Sequence, residues 1–455
     1  MTEPSSPPAA ARPPWRVEIV GGATTFVTMA YILFVNGGIL AAAGLDPVQV
    51  LTVTALVAGV MTIAMGLVAD YPFAVAPGMG LNAVVAFTLV GRDGLSAPEA
   101  MGVVVAEGAI LTLLVLTGFR EAVLDAIPMS LKRAIGAGIG LFLALIGLAN
   151  GGFVVPGAPG GPLLALGRVG TARVALFALG LLLAFALHAR RVRGGLLIAI
   201  FATTAAAIAL NVGVYGGALF GPGDVARLPA RVVSLPDFSL VGDFSFGFVA
   251  RLGLLGAALA VFTLMLSDFF DTVGTAIGLG AEAGFLRPDG TLPRMKRLLL
   301  VDSLSAVAGG ACSASSATTY IESAAGVAEG ARTGRASVVT GALFLAAMFV
   351  APLAAVIPAE ATASALVVVG FLLAGVLRDV DWRDPTEAAP AFLTAVGMPF
   401  TYSIADGIGL GAIAYVVLKA ATGRRREVHA MMWLTAAAFL VFFALEPLRA
   451  LLGVG

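Results

Sequence analysis

Cysteine occurs once in the 455 residues, at position 312, and histidine only twice, at positions 188 and 429. One thiol cannot build a disulfide framework or a cysteine metal cluster, and two distant imidazoles give no basis for a nitrogen-rich metal site. Charge is scarce as well: Asp, Glu, Lys and Arg make up 12% of the chain, about half of the roughly 25% found in ordinary soluble domains. Acidic and basic residues number 27 each, so the sign balance itself says nothing about partners, and no nucleic-acid partner is expected. Gly136-Ala137-Gly138-Ile139-Gly140 resembles a nucleotide loop only superficially, because within an apolar run such glycines mean close helix packing. Neither a cofactor nor a metal is expected.

What the chain does have is apolar length. Hydrophobic residues make up 59% and the mean hydropathy is +1.00, the composition of an all-α polytopic membrane protein. At about 20 residues per spanning helix, there is room for about fourteen crossings. Residues 1–16 are Pro-rich and polar and read as a short disordered cytoplasmic tail, with nothing resembling a cleavable signal peptide. Apolar runs follow at 18–43, 48–68, 73–90, 97–117, 129–150, 171–188 and 194–213, here segments 1 to 7. After a polar connector, segments 8 to 14 lie at 247–280, 297–312, 315–330, 334–352, 360–378, 386–400 and 403–421. A further apolar stretch, 430–452, either crosses once more or lies along its neighbours.

The two sets of seven are related. Ala126-Ile127-Pro128 recurs as Val356-Ile357-Pro358, and Gly140-Leu141-Phe142-Leu143-Ala144 as Gly370-Phe371-Leu372-Leu373-Ala374, both at one offset of about 230 residues. Seven crossings per copy force the second copy into the membrane upside down, which predicts a 7+7 inverted repeat and alternating access. With the N-terminus inside, Lys and Arg concentrate on the cytoplasmic connections, at Arg120, Lys132 and Arg133, at Arg190 to Arg193, at Arg294 to Arg297, at Arg332 and Arg335, and at Arg378 and Arg383. Most short external connections are nearly free of Lys and Arg, although Arg92, Arg168 and Arg173 lie on that side.

Segments 3 and 10 cannot be simple spanning helices. Pro72, Pro77, Gly78 and Gly80 break the third, and Ser313 to Thr319 form a polar run in the tenth. Extended backbone at Phe73 to Ala76 and at Ser315 to Thr318, each followed by a half-helix, predicts two short strands that pair near the midplane and satisfy one another.

Acids inside such runs are expensive, roughly 2.5 to 3.5 kcal/mol each near the bilayer centre, and so point to a solute site. Asp268 and Asp271 stand three apart in segment 8, on similar helix faces, and Glu322 follows the break in segment 10. Glu107, Asp302, Asp406 and Glu446 lie near run ends or without a paired acid, and read as packing or interfacial groups.

At this point the motifs resemble a family. Thr24 to Tyr31, Ala76 to Ala83, Asp268 to Thr275, Thr319 to Gly326 and Thr401 to Gly407, in this order, are similar to the adenine/guanine/hypoxanthine permeases, the AzgA-like branch of the nucleobase:cation symporters of the nucleobase-ascorbate transporter superfamily. The resemblance implies proton-coupled purine uptake across the plasma (inner) membrane and a homodimer. It implies a core domain from 17–119 and 247–352, a gate domain from 120–213 and 353–455, and an external connector at 214–246. It places substrate contacts at Asn82, Asp268 and Glu322, with Asp271 and Thr275 supporting them. The neutral purine that this implies needs a carboxylate, an amide and an aromatic wall. Glu322, if ionised, accepts the adjacent N–H groups of guanine or the single N–H of hypoxanthine, while Asn82 can donate and accept. Phe26, Phe87 or Phe269 is placed to stack on the ring, and Phe26 is carried among the candidate contacts. Burial and like-charge proximity suit Asp268 and Asp271 to bind and release a proton, so proton coupling is assigned to them.

Two other function classes are weaker. An anion exchanger of the same inverted-repeat fold calls for a Lys or Arg between the half-helices, and runs 73–90 and 315–330 hold none. An intramembrane aspartyl protease calls for a Gly-x-Gly-Asp context that neither Asp268 nor Asp271 has. Transport, not catalysis, is the expectation.

Overall fold

The computed structural model describes residues 13–117, 128–157, 162–220, 225–228, 231–287 and 292–452. Arg120, the Ala126-Ile127 half of the first repeated motif, and residues 1–12 of the expected tail lie outside the described residues. The first helix begins earlier than the hydropathy suggests, at Trp15 behind the N-cap Pro14, because Pro at this position sets the entry angle without losing a helical donor.

Each apolar run becomes a helical segment. Among the described residues nine helices are both long and apolar enough to cross a membrane. Segments 9 and 13 are slightly shorter, at Met295–Ala311 and Pro385–Thr401, and segment 11 is the short apolar helix Gly334–Val350. Segments 13 and 14 are separate helices, divided where Tyr402 takes a left-handed turn and Ser403 Oγ caps the next helix at Asp406. The last apolar stretch is the helix Ala430–Leu452, packed on segment 14 with Phe439 against Gly409.

The inverted repeat is visible in which helices touch. Segment 2 packs on segment 11, and segment 9 on segment 4; segment 6 packs on 12, and segment 13 on 5; segment 6 packs on 7, and segment 13 on 14. Every pairing has its partner seven segments on. The axis passes between segments 5 and 12, which pair with each other. There the duplicated glycines meet: a Cβ on Gly140 would lie 2.6 Å from the carbonyl oxygen of Gly370, and one on Gly370 would strike the carbonyl of Gly140. The same device holds segments 2 and 11 together, where a Cβ on Gly59 would lie 3.0 Å from Gly341 O and one on Gly341 2.5 Å from Gly59 O. Small residues let helix backbones approach in a bilayer, where no hydrophobic force drives helices together. Within the Gly136 to Gly140 run only Gly138 and Gly140 serve this purpose; nothing lies near a Cβ at Gly136.

Two strands do cross the breaks. β1, Val75–Pro77, pairs antiparallel with β4, Ala317–Thr319, in the register Val75↔Thr319, Ala76↔Thr318 and Pro77↔Ala317. The pairing is shifted toward the half-helices relative to the expected spans, because Ser313 and Ser315 both take left-handed backbone conformations and spend the start of that run turning the chain out of segment 9. A second small sheet, β2 (Val154–Pro156) with β3 (Leu164–Leu166), stands in the connection between segments 5 and 6, where no strand was expected.

Candidate functional site

A two-stranded sheet inside a membrane protein has outward-facing backbone groups that neither water nor a third strand can satisfy, and each left alone costs several kcal/mol. Side chains meet them here. Thr62 Oγ1 accepts from Val75 N at 2.9 Å and donates to Val75 O at 2.9 Å. Asp302 Oδ1 accepts from Thr319 N at 3.0 Å and from Thr319 Oγ1 at 2.9 Å, and Asp302 Oδ2 accepts from Thr272 Oγ1 at 2.6 Å. Thr272 also bonds Thr318 Oγ1 at 2.7 Å. Pro77 has no N–H to lose, and its carbonyl accepts from Tyr320 OH at 2.6 Å. Ser323 Oγ accepts from Ala74 N at 2.9 Å, and Ser316 Oγ donates to Glu107 Oε2 at 3.3 Å. Asp302, Thr272, Thr318 and Glu107 are fully buried. The packing role read for Asp302 and Glu107 therefore has a definite object: β4 itself for Asp302, and Ser316 just before it for Glu107.

From this platform the chain enters two half-helices. Gly78 precedes the turn Met79–Ala83, which continues in wider π-type turns from Val84 to Arg92, and Glu322 precedes Ser323–Ala328. Asn82, on the first, is fully buried. Its amide donates to Asn36 Oδ1 at 2.5 Å, while Asn36 Nδ2 donates to Thr54 Oγ1 at 2.7 Å and to the carbonyl of Ala314 at 3.1 Å. Since a carbonyl only accepts, Ala314 fixes which end of Asn36 is nitrogen and so which end of Asn82 faces it. Asn82 Oδ1 is left as a buried acceptor without a protein donor.

Glu322 is partly accessible, and its Oε1 accepts a 2.5 Å hydrogen bond from Tyr31 OH. Tyr31 is itself fully buried, at a short interruption between the helices Trp15–Met29 and Ile32–Leu40. On segment 8 the two acids diverge. Asp268 is fully buried, one turn before Thr272, whereas Asp271 is exposed, within electrostatic range of both Asp302 and Glu322. Thr275, one turn beyond Asp271, is half-buried. The aromatic candidates separate too. Phe26 stands edge-on to Phe344 at 5.0 Å, Phe87 forms an edge-on trio with Phe142 and Tyr402, and Phe269 packs with Leu111 and Met265.

Sequence reasoning missed Tyr31, Asn36 and Thr272. A Tyr and an Asn five apart in the apolar segment 1 were a usable signal, since a buried hydroxyl or amide in lipid needs a named partner.

Comparison with known proteins bears on this arrangement. The sequence profile of the Permease family (Xan_ur_permease) matches residues 16–410. The chain belongs to this family. Its permease relatives include the adenine permease AdeQ of Escherichia coli, 42% identical over 93% of this chain and 92% of the relative. The guanine/hypoxanthine permease PbuG of Bacillus subtilis is 39% identical over 94% and 96%. Among solved structures, the transmembrane domain of the cyanobacterial bicarbonate transporter BicA aligns with a TM-score of 0.63 at 16% identity, covering 87% of this chain and 97% of that one. The murine anion transporter Slc26a9 aligns with a TM-score of 0.61 at 13% identity, covering 91% and 69%. At such identities the two structures speak for the inverted-repeat fold alone. As a permease the chain is a multi-pass integral membrane transporter.

Proposed function

We propose that this permease imports purine nucleobases (adenine, guanine or hypoxanthine) by proton symport across the plasma membrane. The observation that carries the reading is that two half-helices joined by one sheet carry, from opposite repeats, a partly accessible carboxylate, Glu322, and an amide, Asn82, whose oxygen has no protein donor. A purine edge brings N–H groups, which are what two acceptors require. The adenine and guanine/hypoxanthine permeases among the relatives support the same class of solute. A bicarbonate-like anion would meet carboxylates, with no Lys or Arg in runs 73–90 and 315–330.

In this reading Glu322 and Asn82 hold the base, Phe26 or Phe87 walls it, and Asp268 carries the coupled proton with Asp271 and Thr275 beside it. Alternating access is a movement of segments 1–4 and 8–11, the core, against segments 5–7 and 12–14, the gate. The separate dense packing of 2 on 11 and 4 on 9, and of 5 on 12 and 13 on 14, supports that division. Ion pairs bridge the two sets at opposite ends: Arg92 Nη1 to Asp406 Oδ2 at 2.5 Å, and Arg193 to Glu329. The N-terminus is cytoplasmic and the assembly a homodimer.

The test is uptake of radiolabelled hypoxanthine in cells lacking their own purine permeases, competed with adenine, guanine, xanthine and uracil. Competition by purines and loss of accumulation on adding a protonophore are expected. Uptake that resists all the purines sinks the substrate class, and uptake that survives the protonophore but stops without sodium sinks the proton.

A further inference from the structure

Tyr31 is the one side chain hydrogen-bonded to Glu322 among the described residues, and its placement goes beyond packing. It lies on segment 1, 291 positions from its partner. A buried phenol needs a polar partner, and one bonded to a backbone carbonyl would have satisfied that need. Instead the hydroxyl donates to Oε1 of the carboxylate at 2.5 Å, in the short range of charge-assisted bonds. A hydroxyl has one hydrogen to give. The bond therefore restrains the rotation of the carboxyl group and takes one acceptor site of Oε1, while Oε2 has no side-chain partner among the described residues.

We propose that Tyr31 is a specificity-determining positioning residue: by occupying Oε1 of Glu322 it favours bases that offer a single N–H to this carboxylate over bases that offer two adjacent ones. This rests on the reading of Glu322 as a purine contact. Hypoxanthine presents N1–H beside the carbonyl O6, and adenine its amino group beside the acceptor N1. Guanine presents N1–H and the 2-amino group side by side, the donor pair that matches both oxygens of an unoccupied carboxylate. With one acceptor site of Oε1 already taken by Tyr31, the second guanine donor has to share that oxygen with the phenol, whereas the single N–H of hypoxanthine meets Oε2 alone.

The experiment is equilibrium binding of radiolabelled hypoxanthine to the purified full-length protein, displaced by guanine and by adenine, for the parent, Tyr31→Phe and Tyr31→Leu. Both variants lack the hydroxyl and keep an apolar side chain in its place, so agreement between them separates loss of the bond from a packing defect. The ratio of guanine to hypoxanthine affinity should rise at least fivefold in each. In a Glu322→Gln background the same Tyr31 substitutions should leave the ratio within twofold. An unchanged ratio in folded Tyr31→Phe or Tyr31→Leu overturns the proposal, as does a rise that persists without the Glu322 carboxylate. Failure of the parent to bind any purine would instead overturn the substrate class.

Discussion

Glu322→Gln isolates charge from shape at the centre of the proposed site. In the parent, Tyr31 OH donates to Oε1, and Oε2 has no side-chain partner among the described residues. If the glutamine keeps its carbonyl oxygen on Tyr31, its NH2 group takes the place of Oε2 and sets hydrogens against the N–H of the base. The charge-assisted bond is then lost and a donor faces a donor. In the reverse rotamer the amide oxygen still accepts from the base, the Tyr31 hydroxyl turns to accept from the amide, and only the charge is lost. Hydrogen bonds to charged groups contribute roughly 1.5 to 3 kcal/mol, so the two rotamers bracket a loss of about 10- to 150-fold in affinity. The assay is equilibrium binding of radiolabelled hypoxanthine to purified protein, with a thermal melt to establish that the variant is folded. A folded Glu322→Gln protein that binds within twofold of the parent would remove Glu322 from the site.

Four further outcomes follow from the geometry. Asp268→Asn should abolish accumulation against a gradient while leaving exchange of internal for external base; concentrative uptake in that variant would take the proton away from Asp268. In a variant without Cys312, Pro77→Cys with Ala317→Cys should cross-link readily, since directly opposed antiparallel residues have Cα atoms about 4.5 to 5.5 Å apart, inside the range a disulfide spans; Pro77→Cys with Thr319→Cys, two positions off register, should not. Gly140→Ala should lower the melting temperature by the equivalent of about 1 to 3 kcal/mol of overpacking, whereas Gly136→Ala, with open space and better helix propensity, should be neutral or stabilising; equal effects would deny the contact between segments 5 and 12. Glu427 is held down to about 2 by the hydrogen bond from Arg424 first and from Lys419 second, so its contribution is present above the ordinary carboxylate value of 4.5 and is lost as pH falls toward about 2; the melting difference between parent and Glu427→Gln, modest for an exposed group, should shrink between pH 7 and pH 3, and a constant difference would refute it.

How far the sequence carried the fold follows from what makes each element. Long apolar runs have one solution in lipid, so the spanning helices were legible to within a few residues, and Pro72, Pro77 and the Ser313 to Ser316 run announced the two breaks. Register was not legible, because it depends on how many residues the left-handed turns at Ser313 and Ser315 consume. β2 and β3 were invisible because Val154 to Pro156 and Leu164 to Leu166 are too short and too little patterned to register against turn-rich surroundings. At the site, Glu322 and Asn82 stood out as polar groups beside breaks. Tyr31 did not, because its importance lies in a partner nearly three hundred residues away.

The acids of the site region are best separated by what they are already bonded to. Asp302 accepts three hydrogen bonds from protein donors, two of them from the same residue of β4. Those bonds answer the outward N–H of Thr319, which would otherwise stand unpaired in the membrane interior. That acid belongs to the platform, and moving it would unfasten the strand. Glu322 accepts one side-chain bond, from Tyr31, and remains partly accessible. The same intramembrane cost applies to both residues, and the compensation differs: backbone for one, and for the other a hydroxyl and, on the proposed reading, a base. Asn82 completes the contrast, since its amide nitrogen is committed to Asn36 and its oxygen is not. The sheet therefore has its own set of polar groups, Asp302, Thr62 and Thr272, holding β1 and β4, and on the proposed reading the remaining acceptors of Glu322 and Asn82 are left for the base.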